Sequence, residues 1–95
     1  MWLVWAQHAL ADRENIFGHI ERDSPRAAGR IDEQIVGAVR RLIQFPESGR
    51  PGRLAGTREL IVPRTPYIVT YRVLTDRVRI LRVLHGAQRW PEDAR

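Results

Sequence analysis

Three histidines and sixteen arginines are the residues through which this chain could do chemistry, because it contains neither cysteine nor lysine. Cysteine nucleophiles, thiolate metal sites and disulfides are therefore excluded. There is also no P-loop, no dinucleotide-type glycine pattern after a strand and no His-x-x-x-His pair. His8 and His19 sit on or beside a first helix and read as surface residues. His85 is different: it ends a strand and precedes Gly86, so its imidazole could reach an open edge as an acid or base, or cap the strand by hydrogen bonding. With no general-base partner beside it in sequence, capping is the preferred reading.

The arginines form the stronger constellation. Arg58, Arg64, Arg72, Arg79, Arg82 and Arg89 all lie in the second half of the chain. Side chains alternating across neighbouring strands would bring several of them onto one surface attractive to phosphate or carboxylate groups. The competing reading pairs Arg72 or Arg82 with Glu59 and leaves the rest solvated. Arg50 and Arg53 read as mobile loop charges. Tyr67 and Tyr71 share one side of a strand with Val69 and Val73, which points to core packing, although a rim hydroxyl would leave Tyr71 as a base-stacking candidate. Trp2 and Trp5 are expected to anchor a first strand, and Trp90 follows the last.

These residues need a scaffold, and the hydrophobic pattern supplies one. Met1 to Ala6 reads as a strand. A helix follows from about Ala9 to Arg22, with Ile16, Phe17 and Ile20 at helical spacing. Ser24 is a natural N-cap and Pro25 suits the first position of a second helix, whose apolar stripe is Ile31, Ile35, Ala38, Val39 and Leu42. Gly29 and Gly37 suggest that this helix approaches the sheet closely. Phe45-Pro46 ends it, and residues 47–53 read as the one substantial loop. The period then changes to two from Thr57 onward. Strands are expected up to Val62, from Tyr67 to Leu74 and from Val78 to His85, joined at Pro63–Pro66 and Thr75-Asp76 as an antiparallel meander. Gly86 to Arg95 reads as a tail packed only by its tryptophan.

The outcome is one α+β domain spanning residues 1–95: an N-terminal strand, a helical hairpin, then a three-stranded antiparallel meander, the hairpin covering one sheet face and the other left for function. A chain of 95 residues has room for one core only. The apolar N-terminus is too short for a signal peptide's core or a membrane span, so the cytoplasm is the default and no membrane association is expected. A net charge of +5 carried wholly by arginine favours nucleic acid or an acidic protein as partner.

Three segments together resemble a known family: Gly56-Thr57-Arg58-Glu59-Leu60-Ile61-Val62, Pro66-Tyr67-Ile68-Val69-Thr70-Tyr71-Arg72-Val73, and Ile80-Leu81-Arg82-Val83-Leu84-His85-Gly86 with Arg89-Trp90-Pro91. They look like the C-terminal half of toxins of the ParE/RelE superfamily, closer to ParE. Ser24-Pro25-Arg26-Ala27-Ala28 and the Ile16-Phe17-Ile20 helix agree more loosely. The resemblance implies a toxin of a type II toxin–antitoxin system, held inactive by a cognate ParD- or RelB-like antitoxin in a hetero-oligomer. It implies no cofactor and no metal, and operator DNA contacted only through the antitoxin complex.

The superfamily divides between RelE-like proteins that cut messenger RNA on the ribosome and ParE-like proteins associated with DNA gyrase. RelE-like nucleases place an arginine directly after the residue matching Tyr67; here that residue is Ile68. They also use loop carboxylates or lysines and a C-terminal tyrosine, where this chain has Glu47, no lysine and Trp90, an indole that exchanges no proton. The resemblance thus favours a ParE-like inhibitor of gyrase or another topoisomerase without a catalytic site of its own. Arg58, Arg64, Arg72, Arg79, Arg82, Arg89 and Trp90 are then the expected contacts to antitoxin or target. The alternatives are a RelE-like endoribonuclease using His85 with Arg58, Arg72 or Arg82, and a detoxified interaction module.

Overall fold

A computed structural model describes residues 1–90 of the chain; Pro91 and the terminal charges of the expected tail lie outside the described residues. The elements run β1 (Trp2–Trp5), α1 (Gln7–Glu21), α2 (Pro25–Arg40), a 3₁₀ turn (Arg41–Ile43), β2 (Arg50–Pro51), β3 (Arg58–Ile61), β4 (Tyr67–Val73) and β5 (Arg77–His85). The five strands form one mixed sheet in the order β1-β5-β4-β3-β2. β3, β4 and β5 are the expected antiparallel meander, and β1 lies parallel to β5 with Trp2 opposite Arg77 and Trp5 opposite Ile80. β2 is a fifth strand inside the segment read as loop. Two residues with a proline leave no period-two pattern to detect, and only their pairing with Glu59 and Arg58 reveals them. No helix of the described residues is long and apolar enough to cross a membrane.

The helical hairpin forms where the sequence breaks. Ser24 caps α2, its hydroxyl accepting the Ala27 N–H at 3.1 Å, and Pro25 occupies the first turn. The hairpin is locked by the bidentate pair of Arg13 and Asp32, at 3.1 and 2.9 Å, and the Arg13 guanidinium also lies 4.7 Å from the Trp5 ring centre. Ile35, Ala38, Val39 and Leu42 of the hairpin meet Val69, Tyr71, Val78, Ile80 and Val83 of the sheet to form the core. The Gly29 and Gly37 expectation is corrected: a Cβ at either position would meet nothing within 4 Å. Trp2 is likewise no anchor, being 64% exposed, because it begins an edge strand and alternation turns it away from the hairpin.

The sheet's second face is not the open platform expected. Glu59, Ile68, Thr70 and Leu84, which alternate onto that face, are all buried. Exposed charge on that face stands at its two margins, Arg77 and Arg79 on β5 and Arg50 on β2 opposite Glu59.

Candidate functional site

Each sequence-predicted arginine has a definite place, and the six divide among five separate locations. Arg58 stands opposite Tyr71 in the sheet, and its guanidinium donates to the Gly49 carbonyl at 2.8 Å and to that of Glu47 at 3.3 Å. Arg72 and Arg79 face one another across β4 and β5. Two like charges in register repel, and Arg72 reaches instead to the carbonyls of Gly56 and Ala55, at 3.1 and 3.5 Å. Gly56 has φ 77°, which favours glycine in the turn, and a Cβ there would push aside the guanidinium 2.5 Å away. Arg64 is exposed in the β3–β4 turn, where it holds a left-handed φ of 59°. Arg89 is exposed beside Trp90.

Arg82 is tied to the helical hairpin. A bulge between Thr70 and Tyr71 in the β4–β5 register shifts this part of β5, and the Arg82 guanidinium binds Asp12 of α1 in two bonds of 2.8 and 2.9 Å. The same carboxylate accepts the Val83 N–H at 2.9 Å. The pairing of Arg72 or Arg82 with Glu59 is therefore corrected, for Glu59 is held by the two arginines read as mobile. Arg50 reaches it at 3.1 Å, while Arg53 donates from its backbone at 2.8 Å and from its side chain at 3.2 Å. Burial pushes the Glu59 carboxyl upward, but the hydrogen bonds from Arg53 and Arg50 outweigh it and hold the group below its ordinary value. The Arg53 guanidinium then stacks 3.5 Å from the centre of the Trp90 ring. Trp90 thus closes a chain of contacts running from β3 through the loop to the tail.

Tyr71 is fully buried, which removes it as a stacking platform. Its hydroxyl donates to the Pro46 carbonyl at 2.8 Å and accepts the Gly49 N–H at 2.9 Å, pinning the loop after α2 against the sheet. Burial raises its pKa above the ordinary phenol value, as it does for Tyr67. Sequence reasoning missed this role, although the glycine and prolines around residues 46–52 marked a loop that needed fastening.

His85 ends β5 opposite Tyr67, the two rings meeting edge to face with centres 5.6 Å apart. Its Nδ1 accepts the Ala87 N–H at 3.1 Å and its own N–H donates to the Gln88 side chain at 2.7 Å, a strand-end cap of the kind preferred from sequence. Tyr67 and Arg72 are five residues apart on β4, so His85 and Arg72 sit about 16 Å apart along the strands. Arg72 is thus remote from His85, while Arg58 is spent on the loop carbonyls and Arg82, three residues before His85, on Asp12. Ile68, at the position where RelE-like nucleases carry an arginine, is buried. No group of three or more His, Asp or Glu side chains is placed to hold a metal among the described residues.

A helical hairpin packed on a mixed sheet, with the N-terminal strand parallel to the last, is the architecture of the ParE/RelE superfamily of toxins. Residues 3–90 match the family model of the ParE toxin of the type II toxin–antitoxin system parDE, and the chain belongs to that family. Among its relatives is the Y4kP protein of Sinorhizobium fredii, 46% identical over 88 residues, which cover 93% of this chain and 91% of that protein. The toxin RelE2 of Caulobacter vibrioides is 38% identical over 86 residues, covering 90% and 96% of the two chains. The solved structure of the chromosomal ParDE toxin–antitoxin system from P. aeruginosa superposes with a TM-score of 0.80 at 31% identity, over 90% of this chain and 95% of that one.

Proposed function

We propose that the chain is neutralised by a cognate ParD- or RelB-like antitoxin in a hetero-oligomer and, when free in the cytoplasm, arrests growth by inhibiting DNA gyrase or a related topoisomerase. The observation that carries the gyrase reading is that Arg58, Arg72 and Arg82 each already serve the fold, with Arg72 far along the strands from His85. Cleavage of RNA needs a proton acceptor and charge stabilisation within reach of one phosphate, and arginines held by Asp12 and by loop carbonyls are poorly suited to supply the second. The buried Ile68 in place of an arginine supports the same reading.

A RelE-like ribosome-dependent endoribonuclease is the second reading, favoured by the name of the Caulobacter relative RelE2. The two are separated by inducing the chain without an antitoxin and following DNA supercoiling and gyrase-linked breaks beside messenger RNA cleavage in the same cells. DNA breaks with intact messages support the first reading. Cut messages with undisturbed topology overturn it, and induction without any growth defect points to a detoxified interaction module. Arg64, Arg79 and Arg89 are exposed, their side chains make no hydrogen bond or ion pair among the described residues, and they are the contacts we assign to antitoxin or target.

A further inference from the structure

We propose that the outer edge of β1 pairs with the same edge of a second copy of this chain, joining the two sheets antiparallel across a two-fold axis at Val4. β1 is an edge strand of the sheet. Trp2 and Ala6 donate to the Asp76 and Ile80 carbonyls at 3.4 and 2.8 Å, so the even positions of the strand face β5. Alternation turns the N–H and C=O groups of Leu3 and Trp5 outward, where no strand lies beside them. An unpaired row of this kind is a template for another strand.

Other margins of the sheet are guarded. The Asp12 carboxylate takes the Val83 N–H and the Gln88 side chain takes that of His85. On the far side β2 has only two residues, one of them a proline without an N–H. β1 reads Trp-Leu-Val-Trp, with no charge, no proline and no side-chain acceptor on its outward N–H groups among the described residues. Its surroundings are apolar as well. Trp2 is 64% exposed, and Met1 and Leu74, at the same end of the sheet, are nearly half exposed.

The edge is complementary to itself. Antiparallel pairing centred on Val4 sets Leu3 of each copy opposite Trp5 of the other, and each such pair exchanges two hydrogen bonds. Val4 then meets Val4 on the axis, and Trp2 meets Ala6, a large ring over a small residue, so every apposed pair is apolar. A charged segment would instead set its charges against Leu3, Val4 and Trp5 with no counter-charge on the strand. The nearest cations, Arg77 and Arg79, stand one strand further in, on β5. Across the axis the two Arg79 side chains are three strand spacings apart, about 14 Å. That exceeds the screening length of about 10 Å at 0.1 M salt, so the net charge of +5 on each copy does not forbid the contact. Because the contact is isologous it closes at a dimer. The inference is independent of which target the chain poisons.

An edge of four residues is small beside the roughly 1,200–2,000 Å² of a standard interface, so pairing is expected at about 10–100 µM. The test is sedimentation velocity of the free protein from about 1 µM to about 500 µM, with monomer at the low end and dimer at the high end. Val4→Asp and Val4→Lys, each checked for folding by circular dichroism, should each weaken dimerisation about tenfold or more, because like charges then meet on the axis. Mixing the two variants in equal amounts should restore the dimer. Amide exchange at Leu3 and Trp5 should slow about fivefold or more as concentration rises, while Val4, which faces β5, should not change. The proposal is overturned if the protein stays monomeric throughout, if Val4→Lys leaves a dimer intact, or if the two folded variants fail to associate on mixing. Slowing of the Leu3 and Trp5 amides by an added Glu-Val repeat peptide, in a sample that stays monomeric, assigns the edge to another protein and overturns it as well.

Discussion

Asp12 and Arg82, seventy residues apart in sequence, form a bidentate ion pair at 2.8 and 2.9 Å that fastens α1 to the outer edge of β5. The place is set by β1, whose pairing with β5 stops at Trp5 and Ile80. Beyond that point β5 is paired with β4 alone, and the Asp12 carboxylate takes the Val83 N–H on the side that β1 has left. Further along, the Gln88 side chain takes the His85 N–H in the same way. Both contacts close an edge that could otherwise recruit a foreign strand.

Replacing Asp12 by Ala should therefore destabilise the fold by about 2–3 kcal/mol, since it takes the carboxylate from a mostly buried guanidinium and leaves the outward Val83 N–H without its acceptor. Asp12→Asn retains an acceptor for Val83 and should cost less. Urea denaturation of the two variants measures both effects; equal and negligible losses would show that the seam contributes nothing.

Tyr71→Phe keeps the buried ring and removes only the hydroxyl between Pro46 and Gly49. The buried Gly49 N–H then has no acceptor, and the expected loss is about 1–2 kcal/mol. In the intact protein, absorbance at alkaline pH should show both tyrosines ionising above the ordinary phenol value, because burial raises them. Normal ionisation of a folded sample would contradict their placement.

Gly49→Ala should be more damaging than an alanine in an ordinary loop. Its Cβ would lie 2.6 Å from the Tyr71 hydroxyl and 2.9 Å from the Glu59 carbonyl oxygen, and the backbone cannot yield as a flexible side chain would. A cost of about 1–3 kcal/mol is expected from thermal or urea unfolding. Gly18→Ala, which meets nothing within 4 Å, serves as the comparison and should be neutral or stabilising.

Glu59 makes stability depend on acid pH. Its folded value is depressed below the ordinary 4.5, so the unfolded chain takes up the proton first as pH falls. The stabilisation it provides is complete above about pH 4.5 and is lost as pH falls through the folded value. Glu59→Gln should flatten this part of the stability profile, and should also raise the exposure of Trp90, whose ring stacks on Arg53. Trp2 and Trp5 also fluoresce, so Trp90 emission is read in a Trp2→Phe, Trp5→Phe background. An unchanged pH profile would remove Glu59 as the cause.

Much of this protein was legible in its sequence. Periodicity placed both helices, the Ser24-Pro25 break and the β3–β5 meander, because a helix stripe or strand alternation is a local property of neighbouring residues. The combination of three C-terminal segments carried the family. Polar side chains were another matter. Nothing near Arg82 announces Asp12, and nothing near Glu59 distinguishes Arg50 and Arg53 from solvated loop charges, since an ion pair forms between groups that only folding brings together. Ring geometry was equally hidden: Tyr67 and Tyr71 share a strand face, yet one meets His85 at a groove while the other is sealed under a loop. The sequence by itself determined the two helices, the strands β1 and β3 to β5, their order and the excess of arginine. Only the tertiary structure decided which arginines brace the fold and which remain for a partner, because that choice depends on strand register and on where β1 ends.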